Sequence, residues 1–320
     1  MIFCQMWSAP GFYVNDIAIA TNNFYPILYA DDTTLCATLN TQWNHDDILC
    51  LNSELQSITS WLKLNKLTVN VTKTKAMLFH APQRQVCYPI LYIDDIPVEF
   101  VNSFNFLGII LDDNLKWNSH INMIAKKISK TIGIMKKYKK YLPTSALLNI
   151  YNALVSPHLN YGIIIWGGQT NRIFKLQKTA IRITTKSKYN AHTSQLFRQL
   201  RILKIHDLCA LHGFKSCFKF GNNVLPDYFL SEMLLRNTFI LNQSLRSNNT
   251  YRLPAVSHEF ARHSISYRFP KIFNEMNQNI KDKIYTHSLD GFKYYVKQNF
   301  LESYNVNCDL TNCYICDGLG

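Results

Sequence analysis

The sequence predicts an α+β fold that gives way to a largely helical region, on three observations. Residues 24–39 form two β-prone runs, Phe-Tyr-Pro-Ile-Leu-Tyr-Ala and Thr-Thr-Leu-Cys-Ala-Thr-Leu, joined at the pair Asp31-Asp32. The segment after them repeats its apolar residues at helical spacing, and strand-like runs then return before residue 115. From Ser119 to about Tyr304 the pattern is mostly helical.

The first two runs read as a hairpin with carboxylates at its tip, since aspartate favours tight turns. Ile48, Leu51, Leu55, Ile58, Trp61 and Leu62 fall on one helical face, with Asp46 and Asp47 at the positive end of the helix dipole. This helix is expected to pack on the hairpin sheet. Strand character returns at Lys73 to His80, at Tyr88 to Tyr92 and at Phe104 to Leu111, with the turn-like Ile-Asp-Asp-Ile-Pro between the last two. Ser119 can cap a helix whose stripe is Ile121, Ile124, Ala125, Ile128, Ile132 and Met135. Lys126, Lys127, Lys130 and Lys137 face the other way, and Ser119 to Tyr141 holds seven lysines and no acid. Pro143 opens a further helix, Thr144 to Val155.

Composition narrows the function. With 320 residues, 47% of them hydrophobic and 17% charged, the chain can bury a core and falls outside the disordered class. Lys and Arg (34) exceed Asp and Glu (21) by 13, which favours a polyanionic partner, nucleic acid before membrane. Apolar runs such as Tyr161 to Trp166 fall far short of the roughly 20 residues that span a bilayer, so no membrane span is expected. Met1 to Trp7 carries no Lys or Arg ahead of its short apolar stretch, so an intracellular, reducing compartment is expected. The run Lys136, Lys137, Lys139, Lys140 does not decide between nucleus and cytoplasm. Six of nine cysteines are scattered, while Cys308, Cys313 and Cys316 form a C-x4-C-x2-C cluster that could give thiolates to a Zn²⁺ site or be three free thiols in a tail.

Tyr29-Ala30-Asp31-Asp32 is the sharpest chemical signal. Adjacent carboxylates on a turn suit Mg²⁺, which takes oxygen ligands, though such pairs also serve as solvated turns. The order of blocks along the chain decides between these. Phe12 to Ile17, Ile27 to Thr34, Trp61 to Lys75, Phe104 to Asp112, His120 to Gly167, Leu176 to Arg182, Leu203 to Leu208, Arg252 to Pro254 and Tyr267 to Pro270 together resemble, in register, the reverse transcriptases of jockey-like, LINE-like non-LTR retrotransposons.

The resemblance implies a partial polymerase palm at 1–115, an antiparallel sheet with its catalytic hairpin and primer-grip strand. A helical thumb at 116–170, a mostly helical region at 171–304 and a Cys-containing tail at 305–320 then follow. It makes Asp31 a Mg²⁺ ligand, Asp32 its supporting acid, and Lys73 a general acid near the pyrophosphate leaving group. An exposed strand-edge lysine is the plainer reading of Lys73. Leu107 and Gly108 would turn the primer grip, or form a simple β-bulge. Lys126, Lys127, Lys130 and Lys137 would touch phosphates of an RNA–DNA hybrid, or be a solvated helix face. The implied partners are an RNA template, a DNA primer and deoxynucleoside triphosphates.

Two family features do not appear: the further aspartate on an earlier palm strand and the Pro-Gln-Gly-Ser loop expected shortly before Phe12. The chain therefore reads as an N-terminally truncated copy, inactive alone, with a palm sheet lacking a partner strand and so exposing an edge. A non-enzymatic nucleic-acid binder built on the basic helix is the alternative, and a decaying remnant without selected function a third.

Overall fold

The computed structural model describes residues 2–5, 15–30, 32–39, 44–81, 87–225, 251–256, 262 and 264–304, with backbone only for 2–5, 15 and 265. The chain divides into two compact units, Met1–Lys116 and Trp117–Gly320.

The first unit is built on a sheet of β1 (Ile2–Gln5), β2 (Tyr25–Tyr29), β3 (Asp32–Cys36), β4 (Lys75–Ala76) and β7 (Glu99–Phe100), in the order β2-β3-β1-β4-β7. Every pairing is antiparallel except β4 with β7. Helix α1 (His45–Leu64) buries Leu51, Leu55, Ile58 and Leu62 in one core with Ile17, Phe24, Leu35, Leu67 and Ala76, as the apolar spacing predicts. Its start is a capping box, with Asn44 accepting from Asp47 N–H at 2.9 Å and the Asp47 carboxylate accepting from Asn44 N–H at 2.8 Å. Its end is a Schellman turn: Lys66 takes φ 59°, Leu67 N–H donates to Leu62 C=O at 2.8 Å, and the Leu67 side chain is buried.

Several expectations are corrected in this unit. Asn15–Ala20 is a 3-10 helix, whereas the resemblance implies a strand over Phe12 to Ile17; Ile17 is buried while Asp16 and Ile19 point outward, which is a helical and not an alternating pattern. Residues 12–14 lie outside the described ones. The chain's own first residues add a further strand, not expected from the sequence: β1 lies between β3 and β4 and pairs with both, and β2 and β7 form the edges. An unpaired edge seeks a strand, and Ile2-Phe3-Cys4-Gln5 supplies one. The strand over Lys73 to His80 shortens to Lys75–Ala76, because Asn70 folds the preceding residues into a turn. Tyr88 to Tyr92 contributes only Tyr92 to a ladder: β5 (Tyr92–Ile93) pairs with β6 (Ile96–Pro97) through Asp94 and Asp95, both at positive φ. Phe104 to Leu111 is a hairpin of β8 (Ser103–Phe106) and β9 (Ile109–Asp112).

The second unit is helical among the described residues: α2 (Asn118–Tyr138), α3 (Thr144–Leu154), α4 (Ser156–Asn160), α5 (Ile163–Trp166), α6 (Asn171–Thr184), α7 (Ser194–Gln199), α8 (Ile205–Gly221), α9 (Ile265–Glu275), α10 (Gln278–Thr286) and α11 (Leu289–Ser303). All six residues of the expected α2 stripe are buried. Ser119 is not its cap, however; Trp117 holds that place in a left-handed conformation, its indole buried. Helix α2 packs chiefly on α6, and α8 packs against α5, α9, α10 and α11. Arg268 of α9 donates to the carbonyls of Ile164 and Ile165 at 2.5 and 3.0 Å, which satisfies chain ends that a short helix leaves open.

Candidate active-site hairpin and basic helical surface

The sheet register decides which chemistry-bearing residues meet. Tyr29 pairs with Asp32, which leaves a two-residue turn in which Ala30 takes φ 51°. Asp31 lies outside the described residues; Asp32 begins β3, half-buried, opposite Gln5 of β1. Because β1 runs antiparallel to both β3 and β4, the starts of β3 and β4 lie at the same end of the sheet. Lys73, two residues before β4, therefore sits at the Asp32 end, across the single strand β1. At strand spacings of about 4.8 Å, the β3 and β4 backbones are about 10 Å apart. Lys73 is exposed, and its N–H donates to Asn70 C=O and Oδ1 at 3.1 and 3.2 Å, so its turn is held locally. Tyr25, Ile27 and Tyr29 present an exposed outer face on the same hairpin.

Leu107 and Gly108 form the two-residue turn of the β8–β9 hairpin, at φ 47° and 79°. Glycine takes that conformation without strain, whereas leucine there costs about 1 kcal/mol. This hairpin is a separate two-stranded sheet and does not share the Asp32 end.

Lys126, Lys127, Lys130 and Lys137 are all exposed on α2. Arg172 of α6 hydrogen-bonds the Asn122 side chain of α2, so cationic residues of the two helices border one another. Burial first, and then the charge of Lys127, hold His158 below the usual histidine range. The basic run extends well beyond Tyr141: between Asp113 and Asp207 the chain holds 17 Lys and Arg and no acid. A simple search for the next acid beyond Tyr141 would have found it.

Among the described residues, no group of three or more His, Cys, Asp or Glu side chains converges as a metal site. Cys308, Cys313 and Cys316 lie outside the described residues, and nothing else supports zinc. No helix among the described residues is long and apolar enough to cross a membrane.

A carboxylate hairpin in a mixed sheet and a stretch without acids from Asn114 to His206 can be set beside known proteins. The chain is 26% identical over 193 residues to "Probable RNA-directed DNA polymerase from transposon X-element" of Drosophila melanogaster, covering 58% of this chain and 21% of that protein. It is 25% identical over 191 residues to "Probable RNA-directed DNA polymerase from transposon BS" of the same species, with the same coverage. To "RNA-directed DNA polymerase from mobile element jockey", also from D. melanogaster, it is 24% identical over 204 residues, 60% of this chain and 20% of that one. By sequence the chain is similar to the RNA-directed DNA polymerases of the X-element, BS and jockey transposons. It spans about a fifth of the length of these curated relatives. No family model matches the chain, and no solved structure matches it.

Proposed function

We propose that the chain is a segment of an RNA-directed DNA polymerase, holding the palm hairpin and a basic helical thumb, and acting inside the cell. The observation that carries this is the shared sheet end of Asp32 and Lys73, 41 positions apart in sequence, in a relative of transposon polymerases. Asp31 and Asp32 offer the hard oxygen donors that Mg²⁺ takes, on a tight turn where such donors can converge. The ion, when bound, would neutralise charge on the attacking and leaving oxygens. Lys73 is a cation beside that position and would hold a proton for the departing pyrophosphate. Leu107 and Gly108 let a backbone turn approach the primer, and Lys126, Lys127, Lys130 and Lys137 give phosphate contacts that read no sequence, as a sliding duplex requires. The deoxynucleoside triphosphates, RNA template and DNA primer belong to the same proposal.

Primer extension on an RNA template tests it. The chain alone is expected to be inactive; with the fingers and upstream palm of the jockey polymerase supplied in trans, Mg²⁺-dependent extension is expected. Asp31→Asn should abolish it and Lys73→Gln should slow it by about 10²-fold or more. No extension in the supplemented reaction, or extension indifferent to Asp31→Asn, would contradict the assignment.

The acid-free stretch from Asn114 to His206 favours a second reading, a nucleic-acid binder without catalysis. It shares the duplex-binding surface and differs in predicting no extension in either reaction.

A further inference from the structure

The helical unit holds an open cleft of about 500 Å³ between α3, α4, α8, α11 and the α7–α8 connection. That volume falls within the range of about 300–1,000 Å³ typical of small-molecule sites. Arg201, Lys215, Lys293 and Lys297 line it together with His212, and no Asp or Glu does. Among the described residues none of these four cations makes an ion pair. Lys293 and Lys297 stand one turn apart on α11, so their side chains share a face.

Lys215 and Lys297 are half-buried in the cleft, while Arg201 and Lys293 are exposed at its rim. Burial first, then the charges of Lys293 and Lys219, lower the affinity of Lys215 for its proton, with Asp290 acting in the other direction. Burial and then Arg201 and Lys293 do the same to Lys297. Arg201 also occupies a left-handed position, φ 54°, at the end of α7, where Ile202 N–H donates to Phe197 C=O at 2.9 Å in a Schellman turn. Glycine would sit there without strain. Four like charges thus gather around one cleft with no carboxylate among its lining residues.

We propose that this cleft binds a nucleotide unit through its phosphate charge. The cations receive the phosphate oxygens in charge-assisted hydrogen bonds, and Leu159 and Leu211 give the apolar wall that a base or sugar needs. The floor is fixed, because the buried Gln177 amide is already engaged with Tyr151, Leu203 and Ile205. The same chemistry is offered by a free nucleotide and by one unit of a single strand. The site is distinct from the hairpin and from the exposed α2 lysines, and it stands whether or not the hairpin catalyses extension.

The test is thermal unfolding and equilibrium binding of the full chain with ATP and, separately, with a short single-stranded oligouridylate. Either should raise the wild-type Tm at low salt, ATP alone indicating a free nucleotide and the oligonucleotide indicating a strand. The triple variant Lys215→Gln, Lys293→Gln, Lys297→Gln should lose the ligand-induced rise, and affinity should fall about tenfold for each contact removed. Relief of like-charge repulsion should leave its ligand-free Tm equal to or above the wild type. Lys293→Gln, at an exposed position that does not endanger folding, should lose part of the same affinity. Replacing Lys126, Lys127, Lys130 and Lys137 with Gln should leave the ATP response intact. The proposal is overturned if neither ligand stabilises the wild type, if Lys293→Gln and the triple variant bind as the wild type does, or if the α2 variant alone removes the ATP response.

Discussion

The buried Gln177 side chain donates from Nε2 to the Tyr151 hydroxyl at 3.0 Å. The same Nε2 donates to Leu203 C=O at 3.0 Å, and Oε1 accepts from Ile205 N–H at 2.9 Å. One amide thus joins α3, α6 and the start of α8. Gln177→Leu keeps much of the volume but leaves buried partners without a hydrogen bond, which costs about 2–4 kcal/mol. Denaturant midpoints should fall accordingly.

Tyr151 adds an alkaline signature. Burial pushes its hydroxyl up to about 12 against an ordinary 10.0, partly opposed by the bond from Gln177. The folded state therefore holds the proton where the unfolded chain has lost it, and stability is shed as pH rises from 10 toward 12. Tyr151→Phe should flatten that part of the pH profile in denaturation experiments.

Gly167 follows α5 at a point where a Cβ would lie 2.3 Å from Ile163 O and 2.5 Å from Cys209 Sγ. The first of these neighbours is backbone and cannot swing away. Gly167→Ala should destabilise the helical unit by about 2–3 kcal/mol, as other overpacked cores are. The Tm should fall, and Cys209→Ala should recover only part of the loss.

Glu54 ties α1 to the entry of β2, accepting from Asn23 N–H at 2.9 Å and Asn23 Nδ2 at 2.6 Å. Burial alone would raise its carboxyl, but hydrogen bonds from Thr21 and the Asn23 backbone outweigh that and hold it below the usual range. A depressed folded-state value means stability present above the unfolded value and lost as pH falls through the folded one. Glu54→Gln should remove that acid-side loss and cost about 1 kcal/mol at neutral pH, visible in urea titrations at both pH values.

Long periodic elements were legible in the residues, and short paired ones were not. The α1 and α2 stripes needed only spacing, because a 3.6-residue period repeated over five turns leaves little ambiguity. Tyr29-Ala30-Asp31-Asp32 was readable as a hairpin because turn residues sit between β-prone runs. Of the two-residue strands, β4 and the first residue of β5 fell inside expected runs that were too long, while β6 and β7 escaped, since their pairing depends on partners elsewhere in the sequence and not on their own pattern. The strand β1 escaped for the same reason: nothing in Ile2 to Gln5 says that β3 and β4 leave a gap between them. That Lys73 and Asp32 share an end of the sheet follows from that insertion and so came only with the sheet order. The cationic cleft draws its residues from positions 201 to 297, a span that no local motif covers.

Binding of an RNA–DNA hybrid by the full chain, measured across a range of salt concentrations, tests the central claim that its basic α2 surface seats nucleic acid. The account predicts tight, sequence-independent binding whose logarithm falls linearly with the logarithm of salt. Replacing Lys126, Lys127, Lys130 and Lys137 with Gln should reduce that slope by about 3 to 4, at about 0.9 per phosphate contact. Binding with no salt dependence, or a slope and affinity unchanged in the fourfold variant, would contradict it.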